Sequence, residues 1–473
     1  MRILFWLGIS VALAMTSVAT YAADAPADSA STKSSDEPDA IGALNGPAVN
    51  AVDGSGTQPA SDVGNRLVTA THQLEMKEYA DAVPLLESVV GDVERSTSRY
   101  DASLIAPLTM LGDAYAGEGK YKEALRAYEH ARHITRVNDG LHATQQIDLL
   151  YRESDTYVAL GKPEKANDRQ EYAFETLLHA YGPVSPELIP GLYRLGAWYE
   201  RSSNVFGART AYGRAVEILE RNNDHGSNNA ELVTALRGLA RSYREERFPP
   251  HELPEERMPG AMTSSSNLYS GGEYMGPGPA VVVNRFGPGE VALLQVVKLV
   301  SADPAATPLD VALAEIDLAD WYLLFDKEDR ATPVYVHARQ IMRERAAMTD
   351  DQIAVYFGKP TVLYRPVPDN PAMPPEPLRS NPKEGHVELS YTVTAQGQVD
   401  DLRTLSSEPE GMMDLKVRRG MRVARFRPRF EGDSPVISVN QIYRHTFTYY
   451  PRPEDAAKHP DAPESADANK PTG

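Results

Sequence analysis

The 473-residue sequence contains no cysteine, which excludes disulfide bonds, thiol catalysis and thiolate-bound metal sites. Basic residues are also scarce, because 48 lysines and arginines stand against 66 aspartates and glutamates, giving a formal net charge of −18. Such a charge argues against non-specific nucleic-acid binding, since phosphates select basic surfaces. After residue 23 no hydrophobic run is long enough to span a membrane. The composition, with 42% hydrophobic residues, suits a globular chain of about two to four domains.

The first residues have the layout of a secretory signal peptide. Arg2 precedes an apolar run that ends at Met15, and small residues then lead to a cleavage point near Ala22 or Ala23. An uncleaved membrane anchor is the alternative, because residues 3–23 carry no charge and are barely long enough to span a bilayer. We predict a signal peptide over residues 1–23, since the second half of the segment is small and polar.

Two further segments have the composition of disordered chain. Residues 24–61 and 451–473 are rich in alanine, aspartate, serine and proline and nearly lack aromatic residues. Such segments bury too little apolar surface to order themselves. We therefore predict an N-terminal tether and a C-terminal tail.

Residues 62–348 contain a tandem repeat with a period of 42 residues. The repeat is marked by alanines, each preceded twelve positions earlier by a small residue and, in three repeats, nine positions earlier by a tyrosine. These markers are Ala82, Ala124, Ala166 and Ala208; Ala70, Gly112, Ser154 and Gly196; and Tyr115, Tyr157 and Tyr199. A fixed period of this kind predicts stacked helical hairpins. The small residues allow two helices to approach closely, and the tyrosine fills the gap between hairpins.

The second repeat carries Leu111, Gly112, Tyr115, Ala124 and Tyr128 in register and resembles the tetratricopeptide repeat. The resemblance implies an α-solenoid whose groove is lined by the first helix of each hairpin. The period of that family is about 34 residues. The 42 residues found here therefore predict about one additional turn on each helix and a deeper groove.

The fifth repeat is interrupted by a segment rich in helix-breaking residues. Its first helix begins near Glu231, residues 246–288 lack periodicity, and a second helix resumes at Gly289. We predict that the insertion is a disordered surface loop. A partner-docking loop is the alternative, because Tyr269, Tyr274 and Phe286 are unusual in a pure linker.

A small α+β domain is predicted over residues 385–450, after a proline-rich connector over residues 349–384 that acts as a stiff, extended arm. The hydrophobic period changes to two at the domain start. The order is strand, strand, helix and strand, which predicts an antiparallel sheet covered by one helix. The face-defining residues are Val387, Leu389, Tyr391 and Val393; Met413, Val417, Met421 and Ala424; and Ile437, Val439, Gln441 and Tyr443.

The turn formed by Val393, Gly397 and Val399, together with the run Phe426-Arg427-Pro428, resembles the C-terminal domain of TonB, the energy transducer of Gram-negative outer-membrane transport. The chain departs from that family where Asp369-Asn370-Pro371 replaces a Tyr-Pro pair. It also has no histidine among its first 50 residues, where the family's membrane helix carries one. The fold class is therefore mainly α, a tetratricopeptide α-solenoid followed by a small α+β TonB-like domain.

Six groove positions are candidates for contact with a partner. Aromatic rings with carboxylates suit an extended peptide that has neutral or basic side chains, whereas the alternative is a solvated acidic face with core tyrosines. The positions are Asp113, Asp148, Tyr151, Asp155, Tyr193 and Glu200.

The TonB-like domain offers two candidate surface features. Its helix region is basic, and its last strand can accept a partner strand at the sheet edge. The candidate surface residues are Arg418, Arg419, Arg422, Arg427, Val439 and Gln441. A basic helix can dock acidic cell-wall polymer, lipid headgroups or the acidic array of the same chain; an ordinary charged outer face is the alternative.

The sequence contains no recognisable catalytic motif and implies no cofactor. His130 and His133 can share a metal on one helix, but the spacing fixes no third ligand. We predict a periplasmic adaptor that binds proteins or peptides of the envelope and no nucleic acid. The alternative is an energy transducer that is anchored in the inner membrane through its N-terminus, faces the periplasm and acts on a TonB-dependent outer-membrane receptor.

Overall fold

A computed structural model describes residues 59–222, 229–249, 286–376 and 381–451. The predicted signal peptide lies outside these residues, as do all but the ends of the predicted tether, insertion and tail. The described residues form a helical array followed by a small sheet domain.

Twelve helices of the described chain form six consecutive hairpins. The second helix of each hairpin also packs against the first helix of the next one. The pairs are α1 (Pro59–Glu75) with α2 (Tyr79–Ser96), α3 (Ile105–Gly117) with α4 (Tyr121–Asp139), α5 (Ile147–Ala159) with α6 (Pro163–Tyr181), α7 (Ile189–Arg201) with α8 (Val205–Arg221), α9 (Asn229–Arg247) with α10 (Phe286–Ala302), and α11 (Pro308–Leu324) with α12 (Glu328–Gln340). This arrangement confirms the predicted tetratricopeptide-like solenoid.

The small residues of the repeat are required because an aromatic ring packs directly on the helix backbone. A Cβ atom added at Gly112 would lie 2.3 Å from the ring of Tyr128, and one at Gly196 would lie 2.7 Å from the ring of Tyr212. The marker alanines Ala82, Ala124, Ala166 and Ala208 are completely buried. The close helix approach predicted from the sequence is therefore confirmed.

The repeated tyrosines connect neighbouring hairpins through hydrogen bonds. Each hydroxyl donates to a glutamate 28 residues earlier, on the second helix of the preceding hairpin. The bonds run from Tyr115 to Glu87, from Tyr157 to Glu129 at 3.3 Å, and from Tyr199 to Glu171 at 2.9 Å. The tyrosine thus fills the gap between hairpins and fixes their register.

The extra residues of each repeat are not shared equally between its two helices, contrary to the prediction. The first helices α3, α5 and α7 have 13 residues each, whereas α4 and α6 have 19 and α8 has 17. Short 3₁₀ turns, such as that at Ala102–Leu104, precede the first helices. The period reports only the total length of a repeat, and here the second helix is the longer one.

The fifth hairpin forms despite the insertion, because α9 and α10 pack together like the helices of the other hairpins. Helix α10 begins at Phe286, three residues before the predicted restart. The sixth hairpin starts with a capping box in which Thr307 and Asp310 satisfy each other's backbone amides.

The proline-rich connector is more structured than predicted. It contains helix α13 (Asp350–Phe357), which has its own capping box at Thr349, and strand β1 (Thr361–Tyr364). Strand β1 pairs with β4 (Arg425–Arg427) in an antiparallel register. The sequence could not reveal this strand, because its partner lies more than 60 residues away and only tertiary folding brings the two together.

The C-terminal domain is built on a three-stranded antiparallel sheet in the order β3-β2-β7. Its elements are β2 (Lys383–Val393), β3 (Val399–Glu408), α14 (Asp414–Arg422), β5 (Arg429–Glu431), β6 (Ser434–Val436) and β7 (Ser438–Tyr449). The predicted face of β2 is buried against the predicted helix stripe of Met413, Val417 and Met421. The α+β architecture is therefore confirmed.

The predicted last strand is interrupted, and its proposed face is wrong at Ile437 and Val439 but right at Gln441 and Tyr443, which are half-buried. Residues Ile437 and Val439 are 58% and 60% exposed, whereas His445 and Phe447 are buried. The register with β2 shifts between Ser438 and Gln441, and Asn440 has a left-handed φ of 54°. This irregularity reverses the alternation before Gln441, so the residues that follow it determine which face packs on the core.

We expect Gly112→Ala to lower the thermal midpoint of the full chain, because the new Cβ collides with the Tyr128 ring. Overpacking of this kind costs about 1–3 kcal/mol. Gly91→Ala is the matched control, since Gly91 lies inside α2 and a Cβ there meets nothing within 4 Å. The control should stabilise the helix by about 0.5–1 kcal/mol. Circular dichroism melts that shift equally for both variants would contradict the packing described here.

Candidate protein-interaction surfaces

The groove carboxylates are paired with arginines of the next hairpin. Asp113 on α3 contacts the guanidinium of Arg152 on α5 and accepts a hydrogen bond of 2.7 Å from the Tyr128 hydroxyl. Arg152 also donates to Asp148 over 2.8 Å. Burial raises the pKa of Asp113, and the charge of Arg152 opposes that rise. Asp113 therefore serves as an internal acceptor at the junction of two hairpins.

The same arrangement recurs one period later. The Arg194 guanidinium lies 3.8 Å from the centre of the Tyr151 ring, a cation–π contact. Its Nη2 atom lies 3.7 Å from Asp155 Oδ2. Burial raises the pKa of both Tyr151 and Asp155, and Arg194 opposes the rise in each case.

An arginine–carboxylate pair also joins the fourth hairpin to the fifth, although the two residues are spaced slightly differently along the chain. Glu200 accepts a hydrogen bond of 2.7 Å from Arg241 on α9. The hydroxyl of Tyr193 donates to the backbone oxygen of Glu231 over 2.5 Å. Both groups therefore join α7 to α9.

The groove is consequently charge-paired rather than acidic. All six predicted positions lie on first helices. Each of their four carboxylates faces an arginine. The carboxylates are therefore not free to select basic side chains of a peptide, as the sequence had suggested. Sequence reasoning missed Arg152 and Arg194, although they stand 42 residues apart. That spacing was the available signal.

The sheet of the C-terminal domain has two edge strands with different protection. The outer strand β3 carries Asp400, Asp401 and Arg403, and charges of this kind discourage strand pairing. Strand β7 has one arginine, Arg444, which lies 3.8 Å from Glu388 of β2. It also exposes Val439 and Ile442, which are 60% and 59% accessible. Within the described residues no strand pairs with the outer side of β7. The edge of β7 is therefore the less guarded one.

One hydrogen bond shows which amides of β7 point outward. The amide of Thr448 donates to Asn370 Oδ1 of the connector over 3.2 Å. Because alternate amides of a strand point to the same side, those of Thr446, Arg444 and Ile442 also face outward. The connector thus covers the C-terminal end of the edge and leaves its centre accessible.

The predicted surface residues of the TonB-like domain lie in different places. Arg419 and Arg422 are exposed on α14, and Arg418 is half-buried with a 3.5 Å hydrogen bond to the Leu402 backbone. Val439 is exposed, and the side-chain amide of Gln441 donates to the Val439 backbone oxygen over 3.0 Å. These residues remain candidates for partner contact.

Arg427 is not a surface residue, contrary to the prediction. Its guanidinium donates to both carboxylate oxygens of Asp320 on α11, at 2.9 and 2.6 Å, and to the Tyr356 backbone oxygen at 3.2 Å. Its side chain is only 11% exposed. The Tyr335 hydroxyl completes the site with a hydrogen bond of 2.5 Å to Asp320. Arg427 therefore attaches the sheet domain to the solenoid.

Aromatic packing surrounds this ion pair. The Phe430 ring of β5 lies 5.6 Å from the Tyr335 ring and 5.3 Å from the Phe357 ring, both edge-on. Arg339 of α12 stacks beside Phe430 with 5.4 Å between guanidinium and ring centre. Phe430 belongs to the hydrophobic core of the solenoid, so the sheet domain shares a core with the last hairpin.

We expect Arg427→Met to destabilise this contact strongly, because Asp320 would keep a buried charge without its partner. Breaking a buried pair costs about 3–5 kcal/mol. Hydrogen exchange of α13 and β5 should rise, and the thermal midpoint should fall. Arg422→Met is the matched control and should change neither, since Arg422 is exposed. Adding Asp320→Leu to Arg427→Met should recover part of the loss; no recovery would show that the pair does not hold the domains together.

The two histidines of α4 each have a neighbour within the protein. His130 Nε2 lies 3.1 Å from the Arg99 backbone oxygen, and the His133 ring packs on Tyr100. Among the described residues no group of three potential ligands could hold a metal ion. No helix of the described chain is long and apolar enough to cross a membrane.

Comparison with known proteins relates the C-terminal domain to TonB. Residues 375–449 match the family model of the Gram-negative bacterial TonB protein C-terminal. The chain is 35% identical over 68 residues to Protein TonB of Pseudomonas aeruginosa, which covers 14% of this chain and 20% of that protein. It is 32% identical over 110 residues to RxLR effector protein SFI4 of Phytophthora infestans, which covers 23% and 30% respectively. The chain thus spans less than a third of the length of these relatives.

Among solved structures, the chain resembles a putative kinesin light chain from Podosopora anserina with nearly identical TPR-like repeats. The likeness has a TM-score of 0.35 and 19% identity, and covers 40% of this chain and 90% of that one. The family match confirms the predicted TonB-like domain. The two folds relate the chain to protein–protein interaction and to the TonB family.

Proposed function

We propose that this protein is an adaptor of the Gram-negative envelope that holds two protein partners at once. One partner adds a strand to the outer edge of β7, and the other lies in the groove of the solenoid. The observation that carries the proposal is the unguarded centre of the β7 edge, with its outward amides and exposed Ile442.

Strand addition suits this edge for two reasons. Main-chain hydrogen bonds to outward amides supply affinity, and the side chains along the strand supply specificity. The Asn370 contact with Thr448 restricts the accessible part to residues 441–447. A short extended segment of the partner is therefore the expected ligand.

The groove supports the second half of the proposal. Half-buried Tyr151 and Tyr193 and the arginine–carboxylate pairs line the inner helices. Aromatic rings and paired charges provide both apolar contact and hydrogen-bonding groups for an extended peptide. The signal-peptide layout of the first 23 residues and the relation to TonB support an envelope location.

Thr446→Pro tests the β7 edge without disturbing the sheet. The amide of Thr446 faces outward, so proline there removes a bond that only an incoming strand would use. His445→Pro is the contrasting control, because the His445 amide points toward β2 and its loss breaks the sheet. We expect Thr446→Pro to keep the wild-type thermal midpoint within a few degrees and His445→Pro to unfold the domain.

Binding is read out by photocrosslinking in cells. Benzoylphenylalanine is placed at Ile442 on β7 or, as a control, at Leu405 on β3, which is exposed to a similar degree. We expect a crosslinked protein from position 442 and none from 405, and Thr446→Pro should abolish the product. A product from position 442 that survives Thr446→Pro would exclude strand addition at this edge.

The TonB relation favours a second candidate, an energy transducer anchored in the inner membrane and coupled to an outer-membrane receptor. The N-terminal residue of the purified protein and its fractionation separate the two candidates. A start near Ala23 in the periplasmic fraction supports the adaptor. An intact Met1 in the inner membrane supports the transducer.

A further inference from the structure

The basic residues of the sheet domain fall into two groups with different surroundings. Arg425 and Arg427 reach the solenoid, where they pair with Asp326 at 3.0 Å and with Asp320 at 2.6 Å. Three of the four basic residues of α14 are instead exposed and form no ion pair with any described residue. They are Lys416, Arg419 and Arg422. The acidic solenoid therefore accounts for the first group and leaves the outer face of α14 without a partner.

The outer face of α14 combines these charges with an apolar side chain. Val417 and Met421 pack on the sheet core. On the opposite side of the helix Leu415, Arg419 and Arg422 follow one another at intervals of four and three residues, so they form one outward stripe. Leu415 is 57% exposed. A leucine thus begins the stripe, and guanidinium groups end it.

The carboxylate of α14 is engaged away from this stripe. Asp414, the one acidic residue in the α14 sequence, accepts hydrogen bonds from the Ser407 hydroxyl at 2.5 Å and from the Gly411 amide at 3.0 Å. The preceding turn adds exposed Glu410, which leaves the helix region with more positive than negative charge. This face is therefore a local concentration of positive charge on a chain whose net charge is −18.

We propose that the outer face of α14 docks on a lipid membrane that carries anionic headgroups. Lys416, Arg419 and Arg422 lie among the headgroup phosphates, and Leu415 enters the interfacial layer with Met412, which is 38% exposed in the preceding turn. Helices with basic and apolar residues on their outward side bind membranes in this way, and each basic residue near an anionic surface adds affinity. An acidic cell-wall polymer matches the charges but has no hydrocarbon layer to receive Leu415. The lipid surface satisfies both features.

Docking through α14 leaves the β7 edge accessible. Tyr443 packs on the core that α14 covers. Since successive side chains of a strand point to opposite faces of the sheet, neighbouring Ile442 points away from α14. Membrane contact and strand addition therefore use different surfaces of the same domain.

The absence of cysteine from the chain permits a test with one environment-sensitive label. A nitrobenzoxadiazole group is attached to Leu415→Cys of the full chain or, as a matched control, to Ile442→Cys on the opposite face, where the side chain is 59% exposed. The vesicles contain phosphatidylglycerol and phosphatidylcholine, or phosphatidylcholine alone. We expect the emission from position 415 to brighten and shift to the blue only with the anionic vesicles, while position 442 stays unchanged. The label reports on its own surroundings, so insertion of the N-terminal segment alone does not give this signal.

Removing the charges of α14 should weaken the response of the label at position 415. The combined variant is Lys416→Gln, Arg419→Gln and Arg422→Gln. We expect its partition coefficient to fall about 100-fold, since each basic residue near an anionic surface contributes about fivefold. Added salt should weaken binding of the unaltered helix.

A second combined variant controls for the loss of net charge. It removes three exposed cations from α4 and α10, through Lys122→Gln, Arg126→Gln and Lys298→Gln. This variant should bind like the wild type, and both combined variants should keep the wild-type thermal midpoint.

The inference is overturned if position 415 does not respond to anionic vesicles, if phosphatidylcholine alone gives the same shift, or if the α14 charge variant binds like the wild type. Sedimentation with purified peptidoglycan tests the polymer. Binding to peptidoglycan without a response to vesicles would also overturn the inference and assign α14 to the cell wall. Crosslinking at β7 is read separately, so the adaptor proposal does not depend on these outcomes.

Discussion

The buried ion pair between Arg427 and Asp320 determines how the two folds of this chain are joined. Two charges removed from water need good geometry and additional hydrogen bonds, which Tyr335 and the Tyr356 backbone supply. Phe430 inserts beside this pair into the core of the last hairpin. Because both the ion pair and the Phe430 ring contribute to the contact, the sheet domain packs directly on the solenoid. The β7 edge therefore has a fixed orientation relative to the solenoid.

The 42-residue period extends beyond the helix contacts that first reveal it. It also places Tyr157 and Tyr199 over glutamates of the preceding hairpin, and Arg152 and Arg194 beside carboxylates of the previous first helix. Repeats of this kind are stabilised by interfaces between neighbours. Here the second and third hairpins, and the third and fourth, are joined by both a tyrosine–glutamate hydrogen bond and an arginine–carboxylate pair. The acidic composition of the chain therefore does not make the groove acidic.

The solenoid holds the domain that carries the β7 edge at two points. Asp320 of α11 holds Arg427. The connector adds a second link, because Asn370 occupies the end of that edge. The sheet domain and the solenoid therefore form one connected framework.

The sequence by itself determined the features that depend on local periodicity. The hairpins, the interrupted fifth repeat, the buried face of β2 and the stripe of Met413 and Val417 all follow from spacing, since residues on one face of a helix or strand are fixed by geometry along the chain. The tertiary structure alone decided the partner of Arg427, which lies 107 residues away, and the pairing of β1 with β4. Those features depend on which distant groups meet after packing, and no local pattern encodes that choice.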